Sequence, residues 1–389
     1  MSQRRRFDLI VIGAGPAGSA AALVAAQGGL SVALVDRAAF PRDKLCGGGI
    51  SGRAQGHLDR VFGALPDGLM HPVSQIRLRH RGADLGMQTC DPPFRTTMRR
   101  AFDAVLVGRA LGAGAADHTG QRVRGIDPDA AAITLTCGMR LQAPLLIGAD
   151  GVNSSVARRL WGRAHDPARV AFALEVEAPA QDGPEVLEID LGAAHWGYGW
   201  SFPKAGGLTL GVGGLAARNP ALGASMADYL ARSGAPKGLR IRGHHLPFGD
   251  FPAIAGQGRV LLAGDAAGLV DPITGEGIGW AVHSGALAGA AAVRALAEDA
   301  PGAALRHYMA GLAPVHAELR RARALRRLIY ARPLQGRFAR AIARNPAIQR
   351  RYVQLLQGER DYADLGAGSV LRLLRRLVLP ALDPLGPRR

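Results

Sequence analysis

The chain has 389 residues, 48% of them hydrophobic and 20% charged, which excludes a disordered or fibrous protein and allows two or three domains with a substantial core. Lysine and arginine number 48 against 31 acidic residues, a formal +17, yet residues 320–389 alone hold 17 arginines and four acids and carry +13 of it. That distribution argues against a uniformly basic nucleic-acid binder and puts the demand for positive charge near the C-terminus.

The three cysteines, Cys46, Cys90 and Cys137, are too widely spaced for a disulfide framework or a zinc site, so a reducing, cytoplasmic setting and no bound metal are expected. The apolar run after MSQRRR is short and enters a glycine motif, as a first buried strand does and a signal peptide does not. No stretch approaches the ~20 apolar residues of a membrane span.

In chain order, FDLIVI at 7–12 predicts a strand buried on both faces. It leads into Gly13-Ala14-Gly15-Pro16-Ala17-Gly18 and a helical SAAALVAAQG. Gly13 permits the turn, Gly15 admits a pyrophosphate to the backbone, and Gly18 lets helix and strand pack closely. The next strand, SVALVD, ends at Asp36, whose carboxylate suits a ribose diol. The order of strand, glycine loop, helix, strand and acid makes a complete dinucleotide fingerprint, and only one is present. Cys46-Gly47-Gly48-Gly49 then concentrates backbone freedom, the mark of close backbone approach or a mobile loop.

Strand alternation puts Ile76 with Leu78, Val170 with Phe172, Leu174 and Val176, and Leu187 with Ile189. PLLIGADGVNSSVAR at 144–158 runs a strand into Asp150, and RVLLAGDAAGLVDPITGEGIG at 259–279 runs another into Gly264-Asp265 and a glycine-rich helix start. Three such nucleotide-facing elements enclose a long cofactor better than a short one. In YGWSFPK, Tyr198, Trp200 and Phe202 share one face, a broad apolar wall. Lys204 follows either as a contact for an anionic head group or as a solvated strand-end lysine, and His244-His245 is expected in a turn. From 300 onward the chain reads as helical. Residues 320–344 and 368–380 mix arginine with leucine, as either an interfacial helix at an anionic membrane surface or an ordinary docking helix does.

With these motifs the chain resembles the FAD-dependent p-hydroxybenzoate hydroxylase-fold superfamily and, within it, the geranylgeranyl reductase family, up to about residue 300. The more specific carriers are DKLCGGGISGRA at 43–54, MRRAFDAVL at 98–106 and YGWSFPK. The resemblance implies an α/β fold with an added antiparallel sheet and an FAD site lined by Ala17, Asp36, Arg37, Cys46, Gly47, Arg99, Asp265, Gly277 and Ile278. These join Gly13, Gly15, Pro16 and Gly18 of the fingerprint, Gly264 at its strand end, and Asp150 of the superfamily's second Asp-Gly motif.

The resemblance also implies a reductase that saturates double bonds of a polyprenyl group with hydride from N5 of reduced FAD. Its substrate would be a polyprenyl-bearing lipid, diphosphate, quinone or pigment, with electrons from NADPH or a donor protein such as reduced ferredoxin. Cys46 is the candidate beside the flavin, whether to tune it, shape the cavity or donate a proton. The competing reading is a flavin monooxygenase or halogenase on the same fold, for which Lys44 is the available lysine and GYGWSFP an imperfect motif. The expected organisation is a discontinuous FAD domain (1–72, 99–170 and 256–300), a substrate-binding sheet (73–98 and 171–255) and a basic helical end (301–389). Read as an interfacial helix, the basic end would make a cytoplasmic protein peripheral at the inner face of the membrane; read as a docking helix, it would not.

Overall fold

The aliphatic run Leu9–Ile12 is a fully buried strand within a six-stranded sheet in the computed structural model, which describes residues 4–366. Its parallel neighbours are Leu145–Gly148 and Val32–Val35, with Val260–Leu262 and Ala116–His118 beyond them. A parallel sheet must be covered on both faces. Part of that cover comes from the helices Pro16–Gln27, Arg99–Gly112 and Ile278–Ala297. The first and last of these meet almost backbone to backbone. A Cβ at Gly285 would lie 2.0 Å from the Ala17 carbonyl oxygen, and one at Gly289 would lie 2.5 Å from that of Ala21. The small residues of the helix Ile278–Ala297 therefore serve helix packing.

A separate four-stranded sheet joins Arg4–Arg6, Arg140–Gln142, Ala132–Leu135 and Val123–Asp127. No sequence signal set it apart. The larger sheet has eight strands in the order Arg242–Leu246, Ala171–Pro179, Gly207–Leu215, Gly197–Lys204, Leu187–Leu191, His71–His80, Ala83–Thr96 and Gly49–Ile50. Its pairs are antiparallel except one: Leu187–Leu191 runs parallel to His71–His80. The chain leaves this sheet after Thr96, passes through the nucleotide layer and returns, and such a long excursion permits a parallel pairing where a hairpin cannot.

The two faces of the larger sheet differ. Phe172, Leu174, Val176 and Val212 pack beneath the helix Leu222–Arg232. Ile76, Leu78, Leu187, Ile189 and Trp200 lie on the other face, in one core with Tyr330, Phe338, Ile342 and Tyr352 from the C-terminal helices Ala304–Tyr330, Leu334–Arg344 and Pro346–Gln357. Exposed arginines of the basic end, among them Arg320, Arg327, Arg340 and Arg344, decorate these helices. The second basic stretch, 368–380, lies outside the described residues. Among the described residues no helix is long and apolar enough to cross a membrane.

Candidate functional site

One cavity lies between the parallel sheet and the inner face of the larger sheet, and both helix starts that carry glycine motifs open into it. The turn at Gly13 has φ +99°, and a Cβ there would lie 2.3 Å from the Ala149 carbonyl oxygen. At Gly18 a Cβ would lie 1.7 Å from the Gly13 carbonyl oxygen, so no side chain fits at either position. Gly15 differs: its side-chain direction is open to the cavity, and the nearest atom is Arg42 Nη2 at 3.7 Å. Gly15 and Gly277 are the N-caps of the helices starting at Pro16 and Ile278, and neither start has a side-chain cap. Their free amides suit anionic or carbonyl oxygens.

Charge on this side is arranged around Asp103, a fully buried carboxylate. It receives Arg99 Nε and Nη2, each at 2.7 Å, and ion-pairs with Arg42 Nη2 at 3.0 Å. Burial opposes the Arg99 charge, but Asp103 and the adjacent Cys46 sulfur hold that guanidinium more firmly protonated than usual. Arg42 Nη2, the atom nearest the open face of Gly15, pairs with Asp103, and among the described residues the buried Nη1 of the same guanidinium has no hydrogen-bond partner. An orphaned guanidinium nitrogen at an uncapped helix start fits a pyrophosphate. Asp36 accepts the Ala14 and Ala38 amides at 2.8 Å each, which fixes its carboxylate at the strand end with lone pairs left for a ribose. Arg37 is exposed beside it. Asp265 lines the cavity 3.8 Å from Lys44 Nζ, and burial, followed by the Arg99 charge, lowers the Lys44 pKa below its ordinary value. These residues fit a dinucleotide cofactor.

The Cys46–Gly49 segment crosses from this layer to the sheet. A Cβ at Gly47 would lie 3.1 Å from Trp200 Nε1 and 3.2 Å from the Phe202 ring, so the glycine backbone lies directly on the aromatic wall. At Gly48, φ is +66° and a Cβ would lie 2.1 Å from the Thr97 carbonyl oxygen. Cys46 Sγ accepts the Gly48 amide at 3.3 Å, and the Cys46 amide donates to Glu175 Oε1 at 3.2 Å.

Tyr198, Trp200 and Phe202 all face the cavity. The Tyr198 hydroxyl donates to the Thr274 carbonyl. Trp200 lies across Gly211 and Gly213 of the neighbouring strand, whose lack of side chains makes room for the indole: a Cβ at Gly211 would lie 2.2 Å from Trp200 Cζ2. Ile76, Phe94, Leu187, Ile189 and Leu356 complete an apolar chamber.

Three expectations change. Lys204 neither lines the cavity nor reaches solvent; it is buried, and its Nζ donates to the Gly47 carbonyl and, at 3.3 Å, to that of Thr97. Burial lowers its pKa to about 8. Asp150 does not line the cavity. Ser154 Oγ at 2.5 Å and the Ser155 amide and hydroxyl at 2.6 and 2.7 Å occupy its two oxygens, so it braces the start of the helix Ser155–Trp161, whose N-cap is Ser154, while Ala149 and Gly151 reach the cavity. His244 and His245 form part of the edge strand Arg242–Leu246 and not a turn. His244 pairs with Ala173 and lines the cavity, where burial and then Lys44 lower its pKa to about 4.

Arg42, Glu175 and Glu276 were missed. Glu276 lines the cavity, locked by Ser51 Oγ at 2.6 Å and Arg53 Nη1 at 3.1 Å. Only Glu175 carried a usable signal: in VAFALEVE it sits on the alternate face from Phe172, Leu174 and Val176, beside alanines.

Residues 8–147 match the family model of FAD dependent oxidoreductases. The chain is 34% identical over 313 residues to menaquinone reductase of Mycolicibacterium smegmatis, covering 73% of this chain and 75% of that protein. It is 31% identical over 324 residues to digeranylgeranylglycerophospholipid reductase of Methanosarcina mazei, covering 75% and 76%. Its structure superposes on a geranylgeranyl bacteriochlorophyll reductase-like protein of Thermoplasma acidophilum with a TM-score of 0.74 at 20% identity, over 96% of this chain and 97% of that one. Fold and site define an FAD-dependent oxidoreductase of p-hydroxybenzoate hydroxylase architecture. Within that class, the chain belongs to the geranylgeranyl reductase family.

Proposed function

We propose that this enzyme saturates isolated carbon–carbon double bonds of a polyprenyl group, with reducing equivalents from NADPH or a reduced ferredoxin. The observation that carries the reading is the continuity of one cavity from the Gly15 and Asp265 end to the wall of Tyr198, Trp200 and Phe202. Bound and reduced, FAD supplies hydride. Gly13, Gly15, Gly18, Asp36, Arg42, Arg99 and the helix starting at Ile278 would hold it. The aromatic wall and the aliphatic residues opposite would align an isoprenoid chain and keep water from the reacting carbons. Relatives named as reductases of menaquinone and of digeranylgeranylglycerophospholipid support a quinone tail or a prenyl lipid as substrate. The arginines of the C-terminal helices suit the anionic membrane surface where such substrates reside.

Lys44 in the cavity beside Asp265 favours a second reading, oxygen chemistry of the monooxygenase or halogenase kind. Anaerobic reduction of the bound flavin, followed by mass spectrometry of geranylgeranyl diphosphate, a digeranylgeranyl lipid and menaquinone, separates the two. Stepwise gain of hydrogen pairs supports saturation. No gain with any of them, or oxygen or halogen incorporation in air, sinks it.

A further inference from the structure

Hydride transfer to an unactivated alkene needs a proton delivered to the other carbon at nearly the same time, and most of the chamber that would hold the alkene is hydrocarbon. Among the described residues three carboxylates line the cavity: Asp265, Glu276 and Glu175. Asp265, at the nucleotide end, faces Lys44, and both oxygens of Glu276 are taken by Ser51 and Arg53. Glu175 is 3% exposed. Its Oε1 accepts the Cys46 amide, and among the described residues its Oε2 makes no hydrogen bond.

Register places it well. Glu175 pairs with Gly211, which pairs with Trp200, so carboxyl and indole share one face with only a glycine between them. The charged groups around it are committed elsewhere. Lys204 donates to the Gly47 and Thr97 carbonyls. Arg242, opposite Glu175 on the edge strand, is held by Glu177. Cys46 touches it through the backbone amide and offers no cation.

Resting on the proposed function, we propose that Glu175 is the acid that protonates the alkene. In that step the Glu175 O–H bond breaks and a C–H bond forms from the alkene π pair, while the second carbon takes a hydride from reduced FAD. Glu175 is left as a carboxylate, and a proton from solvent restores it before the next double bond. Burial raises its pKa to about 7, partly offset by the Cys46 amide and then by Lys204 and Arg242, so the acid is present at neutral pH and below.

Glu175→Gln keeps an acceptor for the Cys46 amide and removes the proton. In the holoenzyme this variant is expected to bind FAD and accept electrons from dithionite as wild type does. Its saturation of whichever of geranylgeranyl diphosphate, digeranylgeranyl lipid or menaquinone the wild type reduces should fall at least ~100-fold. Independently of turnover, infrared spectra of the wild type should contain a carboxylic-acid carbonyl band that fades as pH rises through about 7 and is missing in Glu175→Gln. Wild-type turnover by the variant, or a wild-type spectrum without such a band, overturns the assignment. A wild type that shows the band but saturates none of the three substrates overturns the proposed function, and the catalytic role with it, while leaving the buried acid established.

Discussion

Replacing Gly211 by alanine asks whether the sheet is built around the Trp200 indole. The backbone at 211 has no positive φ, so alanine brings no conformational strain of its own. The added methyl would lie 2.2 Å from Trp200 Cζ2, 2.5 Å from Cε2 and 2.8 Å from the Leu174 carbonyl oxygen. Carbon–carbon contact is comfortable at about 3.5–4.0 Å, so the ring must shift by more than about 1 Å. Trp200 is 8% exposed and backed by Gly47, so it has little room to yield. Overpacking of this kind costs about 1–3 kcal/mol, or roughly 1–4 °C in melting temperature at about 2.1 cal/mol/K of unfolding entropy per residue. Calorimetry of the holoenzyme and tryptophan emission read the two consequences. In a Trp200→Phe background, which lacks the ring carbon that is struck, the same Gly211→Ala change should cost at least ~0.5 kcal/mol less. Strictly additive effects of the two substitutions would refute the reasoning.

Arg42→Met removes the guanidinium near Gly15 whose Nη2 pairs with Asp103 and whose buried Nη1 has no hydrogen-bond partner among the described residues. A charged hydrogen bond is worth about 1.5–3 kcal/mol, so fluorescence titration of apoprotein with FAD should show affinity reduced roughly 10- to 100-fold; unchanged affinity would remove Arg42 from the cofactor site. Asp150→Ala removes the acceptor of the Ser155 amide while leaving the Ser154 N-cap on Ala157, and should lower stability in chemical denaturation by about 0.5–1.5 kcal/mol while weakening FAD less than Arg42→Met does; the reverse ranking would return Asp150 to the cofactor. Glu175 binds a proton more tightly folded than unfolded, 4.5 being its ordinary value and about 7 its folded one. Its stabilising contribution is therefore complete below 4.5 and lost as pH rises through about 7. Melting temperatures of wild type and Glu175→Gln should diverge across that window to the disadvantage of wild type; parallel curves would contradict a raised carboxyl.

What was legible in the sequence was local. Gly13 and Gly18 are fixed by collisions within a few residues of themselves, and the aliphatic runs that flank them carry strand identity in their own composition. Alternation likewise put Tyr198, Trp200 and Phe202 on one face, and all three line the cavity. What was not legible depends on neighbours distant along the chain. Lys204 reads as a strand-end cation until Gly47, 157 residues away, supplies the carbonyl that buries it. Asp150 reads as a ligand-binding acid because its hydrogen-bond donors, Ser154 and Ser155, look like part of the same motif. The parallel pairing of Leu187–Leu191 with His71–His80 has no counterpart in any local pattern.

That interleaving bears on how the enzyme is made. The parallel sheet takes Leu9–Ile12 and Val32–Val35 from the start of the chain, Leu145–Gly148 from its middle, and Val260–Leu262 from two-thirds of the way along. On a translating ribosome, the glycine loop at residues 13–18 emerges early, but the strand leading to Asp265 and the helix starting at Ile278 follow only after most of the larger sheet. Contacts of such sequence separation slow folding and lengthen the exposure of unpaired strand edges. The two ends of the cofactor site are therefore present together only once the helix starting at Ile278 has followed the larger sheet.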